Sequence, residues 1–187
     1  MPTLPIVRLG HPALRTPAQP VDPERLADPE LQQLIDDLFT TMEAAGGVGL
    51  AAPQVGLGLR LFVYAVPPAE DDGEVEESGD DEAAEPEPIG RAIVNPQVDF
   101  EPGDLEEGWE GCLSIPDLRG LVPRYPAARV RALDRHGKPL DYRAEGFEAR
   151  IVQHELDHLD GVIFLDRMSD LQSLTYPEEW RPEVAGK

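Results

Sequence analysis

The chain has 187 residues, 41% of them hydrophobic and 6% aromatic, enough for one domain with its own core. Its formal charge of -21 argues against a general affinity for nucleic acid or anionic membrane, because both need clustered lysine and arginine on the partner. Cys112 is the single cysteine, so no intrachain disulfide forms; no apolar run reaches membrane-span length and the first residues lack the layout of a secretion signal, so a cytoplasmic protein is expected.

In chain order, the first twenty or so residues are proline-rich and predict an extended segment with turns around Gly10, His11 and Pro12. Asp28 followed by Pro29 is a helix start, and Leu31, Leu34, Ile35, Leu38, Phe39 and Met42 follow at three- and four-residue steps. An amphipathic helix is predicted over 29–45, closed by Gly46 and Gly47. The small residues of 47–56 predict a loop. They lack the third glycine and the preceding strand of a dinucleotide site, although their size would let the backbone approach a ligand at a pocket edge.

A strand is predicted over 59–66 and another over 89–98. Between them, 67–88 holds eleven acidic residues, no lysine or arginine, and Val75 as its only large apolar side chain. This composition predicts a mobile, solubilising acidic insertion between the two strands. Glycines around Cys112, with Pro116 after it, predict a constrained backbone that is neither helix nor regular strand, and a positioned thiol. Strands follow over 119–122, 127–133 and 140–144, the last two joined by a turn at 135–138 that leaves His136 in solvent. Residues 176–187, with Pro177 and Pro182, are expected to be loosely held.

A helix beginning near Gly146 and closed by Gly161 carries the main chemistry. His154 and His158 fall one turn apart on one face with Glu155 beside them, the H-E-x-x-H arrangement that holds a metal and sets a general base next to its water. Phe147, Arg150 and Ile151 share that face. A catalytic metal takes three protein ligands and keeps one open position, so a third ligand is needed. Phe164 stands where a further histidine would complete one class of peptidase site. Glu178, bracketed by Pro177 and Pro182, would complete a thermolysin-like site, and Cys112 would complete a third kind.

Three stretches stand in a fixed order: G-x-G-x-A-A-x-Q from Gly47 to Gln54, E-G-C-L-S from Glu110 to Ser114, and H-E-x-D-H from His154 to His158. Together they make the chain resemble the peptide deformylases, from about Val7 to Asp166. The departure is 67–88, where a short connection is expected. The resemblance implies a single deformylase domain over 1–187 with an α+β fold, antiparallel sheets wrapped around the helix that bears the histidines. It implies removal of the N-formyl group from the initiator methionine of new polypeptides, with release of formate.

For the site, the resemblance implies Cys112, His154 and His158 as ligands of one divalent metal. Fe(II) is the expected ion, and the donor set also suits Zn(II), Ni(II) or Co(II). Water held on that metal would attack the formyl carbon, with Glu155 moving its proton to the leaving amine. The Gln54 amide and the Leu113 N–H would face the oxyanion. Val48, Gly49, Gly111, Phe147, Arg150 and Ile151 would bind substrate, Arg150 through its aliphatic stem if its charge reaches solvent. Expected partners are N-formyl-methionyl peptides and nascent chains, with transient ribosome contact, no specific nucleic-acid binding and a monomeric chain. Two other readings stand beside this one: a thermolysin-like peptidase using Glu178, and a non-catalytic metal- or peptide-binding relative. Glu155 and Gln54, which are not metal ligands, speak against the second.

Overall fold

A computed structural model describes residues 3–66 and 89–179; the acidic insertion expected over 67–88 and the chain beyond 179 lie outside the described residues. The architecture is mixed α/β, with antiparallel sheets and few helices. Numbered in chain order, the strands are β1 (Gly49–Ala51), β2 (Leu61–Val66), β3 (Ile89–Phe100), β4 (Glu106–Cys112), β5 (Ile115–Arg124), β6 (Ala127–Leu133) and β7 (Pro139–Glu145). Five of them form one antiparallel sheet in the order β1-β2-β3-β6-β7, and β4 and β5 form a separate two-stranded sheet. No helix among the described residues is long and apolar enough to cross a membrane.

The first long helix, α1 (Pro29–Ala44), starts with Pro29 in its first turn, where the missing N–H costs nothing. Its stripe of Leu31, Ile35, Leu38 and Met42 packs on Leu61 and Val63 of β2 and Ala92 and Val94 of β3. The second, α2 (Gly146–Leu159), covers the opposite face of the same sheet, where Ala149, Ile151, Val152 and Leu159 meet Phe62, Tyr64, Ile93 and Val130. Successive residues of a strand point to opposite faces, so a strand covered on both sides must be apolar throughout, which is why β2 reads Leu-Phe-Val-Tyr without alternation. The β4–β5 hairpin closes over α2 from the far side, around Leu14, Ile115, Val122, Ile163 and Phe164. The metal-motif helix thus lies between two sheets.

Two segments differ from expectation. Residues 49–51, expected in a loop, form β1 at the sheet edge, paired Gly49 with Tyr64 and Ala51 with Phe62. Their small side chains let the strand press against α2, a tertiary contact that local composition does not announce. A short 3-10 turn, Ala52–Val55, then ends at Gly56 with φ of 81°. The second difference is the cysteine segment, which is a strand from Glu106 through Cys112. Its register slips only at the end, where the pairing passes from Gly111 with Arg119 to Cys112 with Ile115. Gly108 is no turn residue: it serves close packing, since a Cβ there would meet the Arg150 guanidinium at 2.6 Å.

After α2 the chain turns at Gly161, whose φ is 75°, and enters the short α3 (Phe164–Arg167). The turn lies against the N-terminal segment: a Cβ on Gly161 would approach the Arg15 carbonyl to 2.9 Å. Gly161→Ala therefore combines a left-handed backbone with a backbone clash, and should cost about 1–3 kcal/mol in urea unfolding. Gly103, with no heavy atom within 4 Å of the corresponding position, supplies the control: Gly103→Ala should leave the midpoint nearly unchanged.

Candidate active site

The hairpin, the edge strand and the helix deliver their side chains to one place. From the hairpin comes Cys112, at the register slip that ends β4; from α2 come His154 and His158, their ring centroids 5.0 Å apart. The cysteine sulfur and one ring nitrogen of each histidine all lie within 4.8 Å of one another, with Cys112 Sγ 3.2 Å from His158 Nε2. Glu178 is not in this group; it is exposed in the 3-10 turn Pro177–Glu179. Phe164 stacks against His154 with ring centroids 6.4 Å apart.

Each ligand-type side chain is held by something that is not a ligand. His154 Nδ1 lies 2.9 Å from Glu110 Oε2, which leaves Nε2 for other use. Burial alone would lower the His154 pKa, but contacts with Cys112 and Glu110 outweigh it and raise it well above the ordinary value. Burial pushes the pKa of His158 far down and keeps that ring neutral, with its Nδ1 buried and without a hydrogen-bond partner among the described residues. Gln54 is fixed at both ends of its amide. Its Oε1 accepts from the Ala51 N–H at 2.8 Å, while Nε2 donates toward Cys112 Sγ at 3.5 Å and Ser114 Oγ at 3.4 Å. The N-terminal segment pins this corner, donating from Val7 N to the Gln54 carbonyl and from Leu9 N to the Ser114 carbonyl.

Glu155 is 3% exposed, and its Oε2 has no hydrogen-bond partner among the described residues. Burial pushes its pKa up to about 7. The carboxylate occupies space that Gly49 leaves open, and a Cβ at Gly49 would overlap Oε1. Ligand atoms that converge, and a buried carboxylate oxygen beside them left unpaired, fit a divalent ion with three protein ligands and a polar group next to its open position.

A cleft of about 560 Å³ opens over these groups. Val48, Gly49, Gln54, Gly111, Cys112, Leu113, Phe147, Arg150, Ile151, His154 and Glu155 all line it. His158 lies beneath, 1% exposed. The condition set on Arg150 is largely unmet, since its side chain is only 15% exposed. Its guanidinium turns into the protein, donating to Glu110 Oε1 at 3.0 Å and to the carbonyls of Val122 at 2.8 Å and Glu106 at 2.7 Å. The bond to the carboxylate is charge-assisted on both sides, which makes it the strongest of the three.

A family model for polypeptide deformylase matches residues 3–174. The chain belongs to the peptide deformylase family. It is 45% identical to peptide deformylase 2 of Bordetella bronchiseptica over 179 residues, covering 96% of this chain and 95% of that one. Among solved structures it is similar to a Met-Ala-Ser-bound class I type b peptide deformylase from Acinetobacter baumannii (TM-score 0.76, 37% identity, 89% of this chain and 98% of that one). It is also similar to a deformylase from Synechococcus elongatus in complex with actinonin (TM-score 0.73, 38% identity, 91% and 81%). Deformylases are metal-dependent enzymes, and Cys112, His154 and His158 are the group here that could hold the ion.

Sequence reasoning missed the charges behind the deformylase site. Arg124 grips Glu110 through two bonds of 2.9 Å and reaches Asp157 Oδ2 at 2.6 Å, while Arg167 donates to Asp157 Oδ1 at 2.6 Å. Burial would raise the Glu110 pKa, but bonds to Arg124 and His154 lower it to about 2, so the carboxylate stays ionised. Glu110 and Asp157 were visible as motif letters with no role attached. Arg124 carries no local signal, and only a search for the cation that two buried carboxylates require would have found it. Removing it in Arg124→Met takes the shared buried cation from both carboxylates while Arg150 and His154 stay on Glu110 and Arg167 stays on Asp157, with an expected loss of about 1–3 kcal/mol of stability by chemical denaturation.

Proposed function

We propose that this deformylase removes the N-formyl group from the initiator formyl-methionine of newly made polypeptides, using one divalent metal held by Cys112, His154 and His158. The observation that carries this reading is the convergence of those three ligand atoms beside the buried, unpaired Glu155 carboxylate in a cleft that a peptide can enter. One thiolate and two imidazoles suit Fe(II), Zn(II), Ni(II) or Co(II), and Fe(II) is the working ion we assign. When bound, the metal supplies Lewis acidity toward water and the formyl oxygen.

The chain's own groups do the rest. Glu155, with its pKa raised into the neutral range, accepts the proton of the attacking water and returns it to the leaving amine as the C–N bond breaks, giving formate and a free N-terminus. Gln54, its amide plane fixed through Ala51 and Ser114, directs Nε2 at the developing oxyanion, with the Leu113 N–H as second donor. Gly49 and Gly111 let the peptide backbone lie close. Val48 and Phe147, exposed at the cleft mouth, form the methionine side-chain pocket with Ile151 and Arg150. The Met-Ala-Ser peptide held by the Acinetobacter baumannii relative is what formyl-Met-Ala-Ser becomes on losing its formyl group, which supports this substrate class. The same reading takes residues 1–187 as one domain, a cytoplasmic monomer that meets nascent chains through transient ribosome contact, with 67–88 as a solubilising insertion.

Anaerobically iron-loaded enzyme should release formate from formyl-Met-Ala-Ser. Glu155→Gln should lower kcat by about 10²–10⁴-fold while metal content holds; formate no higher than that variant's background would sink the reading. Metal content separates the ligand sets. Cys112→Ala should lose the ion and Glu178→Ala should keep it, and the reverse outcome would revive the thermolysin-like site.

A further inference from the structure

The two groups assigned above to the oxyanion belong to different sheets. Gln54 lies in the 3-10 turn that follows β1, the edge strand of the five-stranded sheet. Leu113 and Ser114 form the two-residue tip of the β4–β5 hairpin, whose last paired residues are Cys112 and Ile115. Oxyanion donors act only at a set separation, so the turn and the hairpin tip must be held at a fixed distance. The Gln54 side chain crosses the gap, but its bond to Ser114 Oγ is long at 3.4 Å, and the sulfur of Cys112, at 3.5 Å, is a weak acceptor.

The N-terminal segment makes shorter bonds to both sides of that gap. Val7 N donates to the Gln54 carbonyl at 2.8 Å, and Leu9 N donates to the carbonyl of Ser114, a residue with no exposed surface, at 2.9 Å. Two residues apart in an extended chain, these N–H groups point the same way at a spacing of about 7 Å. The chain then turns. His11 N donates to the Arg8 carbonyl at 3.0 Å, and Gly10 has a φ of 101° while that of Leu9 is not positive, the pattern of a type II turn with Leu9 as its first central residue. Further on, Ala18 N donates to the Leu159 carbonyl at 2.8 Å. One stretch of backbone thus bonds in succession the turn that carries Gln54, the hairpin tip beside Cys112 and the end of the metal-motif helix.

We propose that Val7 and Leu9 are positioning residues, their backbone N–H groups setting the separation of the two oxyanion donors. Neither lines the cleft, so they act through Gln54 and the hairpin tip. This rests on the deformylase reading above and on the roles given there to Gln54 and Leu113. Negative charge grows on the formyl oxygen only in the transition state, so donors moved from their places lower kcat and leave KM alone.

Leu9→Pro isolates the contact. A type II turn favours proline at that place, while the ring removes the N–H that Ser114 needs. Leu9 is 49% exposed, so Leu9→Ala, which keeps the N–H, is the control. With metal-loaded enzyme and formyl-Met-Ala-Ser, Leu9→Pro should lower kcat about 3–30-fold, a part of the roughly 10²–10³-fold lost when an oxyanion donor is removed outright, with KM within about twofold and metal per chain unchanged. Leu9→Ala should match wild type. If Leu9→Pro does not fold, replacing Leu9 by leucic acid, its α-hydroxy analogue, removes the same N–H, keeps the side chain and is read in the same way. A bond that served stability alone would lower the urea midpoint and leave kcat of the folded enzyme at the Leu9→Ala value. That result, or a loss carried by KM or by metal content, overturns the assignment and leaves deformylation standing, whereas no formate from wild type overturns the underlying reading instead.

Discussion

The buried carboxylate of Glu110 is the interaction on which the site depends. It sits on β4, and its partners tie the hairpin to α2: Arg124, on β5, bonds on to Asp157 of α2, and Arg150 and His154 of α2 bond the carboxylate directly. Without these contacts the hairpin that carries Cys112 and the helix that carries the histidines would meet through a few bonds to backbone groups, such as Gln153 with Tyr125, and through apolar packing, which is non-directional and tolerates small displacements. A set of ligand atoms cannot tolerate them. Charged hydrogen bonds fix the distance, and because an unpaired buried carboxylate is so costly, the arrangement forms as a whole or not at all.

Much of this was legible in the sequence, for identifiable reasons. The stripe from Leu31 to Met42 and the H-E-x-x-H spacing are local patterns whose period is that of the element itself, so they point to helices at 29–44 and 146–159 without knowledge of the rest. The β-branched and aromatic content of 59–66 likewise announced a strand, though its cover on both faces is seen only in the structure. The third member of the Cys-His-His group was within reach because Cys112 is the only cysteine and sits in a stretch shared with a known family.

What escaped depends on distance in the chain. Gly49 looked like a loop residue because small side chains favour turns, yet its role is to leave room for the Glu155 carboxylate. Gly108 gave the same signal and serves Arg150. The direction of the Arg150 side chain stayed open because exposure is the default for arginine, and only the tertiary structure shows the three acceptors that turn it inward. A glycine is equally blank whether it frees the backbone or frees a neighbour, and one sequence cannot separate the two.

The N-terminal segment has a bearing on timing. Val7 and Leu9 bond the carbonyls of Gln54 and Ser114, and the helix with both histidines follows later in the chain. Contacts of such long sequence separation form late, after their loop-closure entropy has been met. The catalytic corner thus has no partial form: a growing chain of this enzyme, still on the ribosome, holds at most one of the three side chains of its Cys-His-His group until α2 has emerged. A deformylase, which acts on peptides, is incomplete while it is itself still being made.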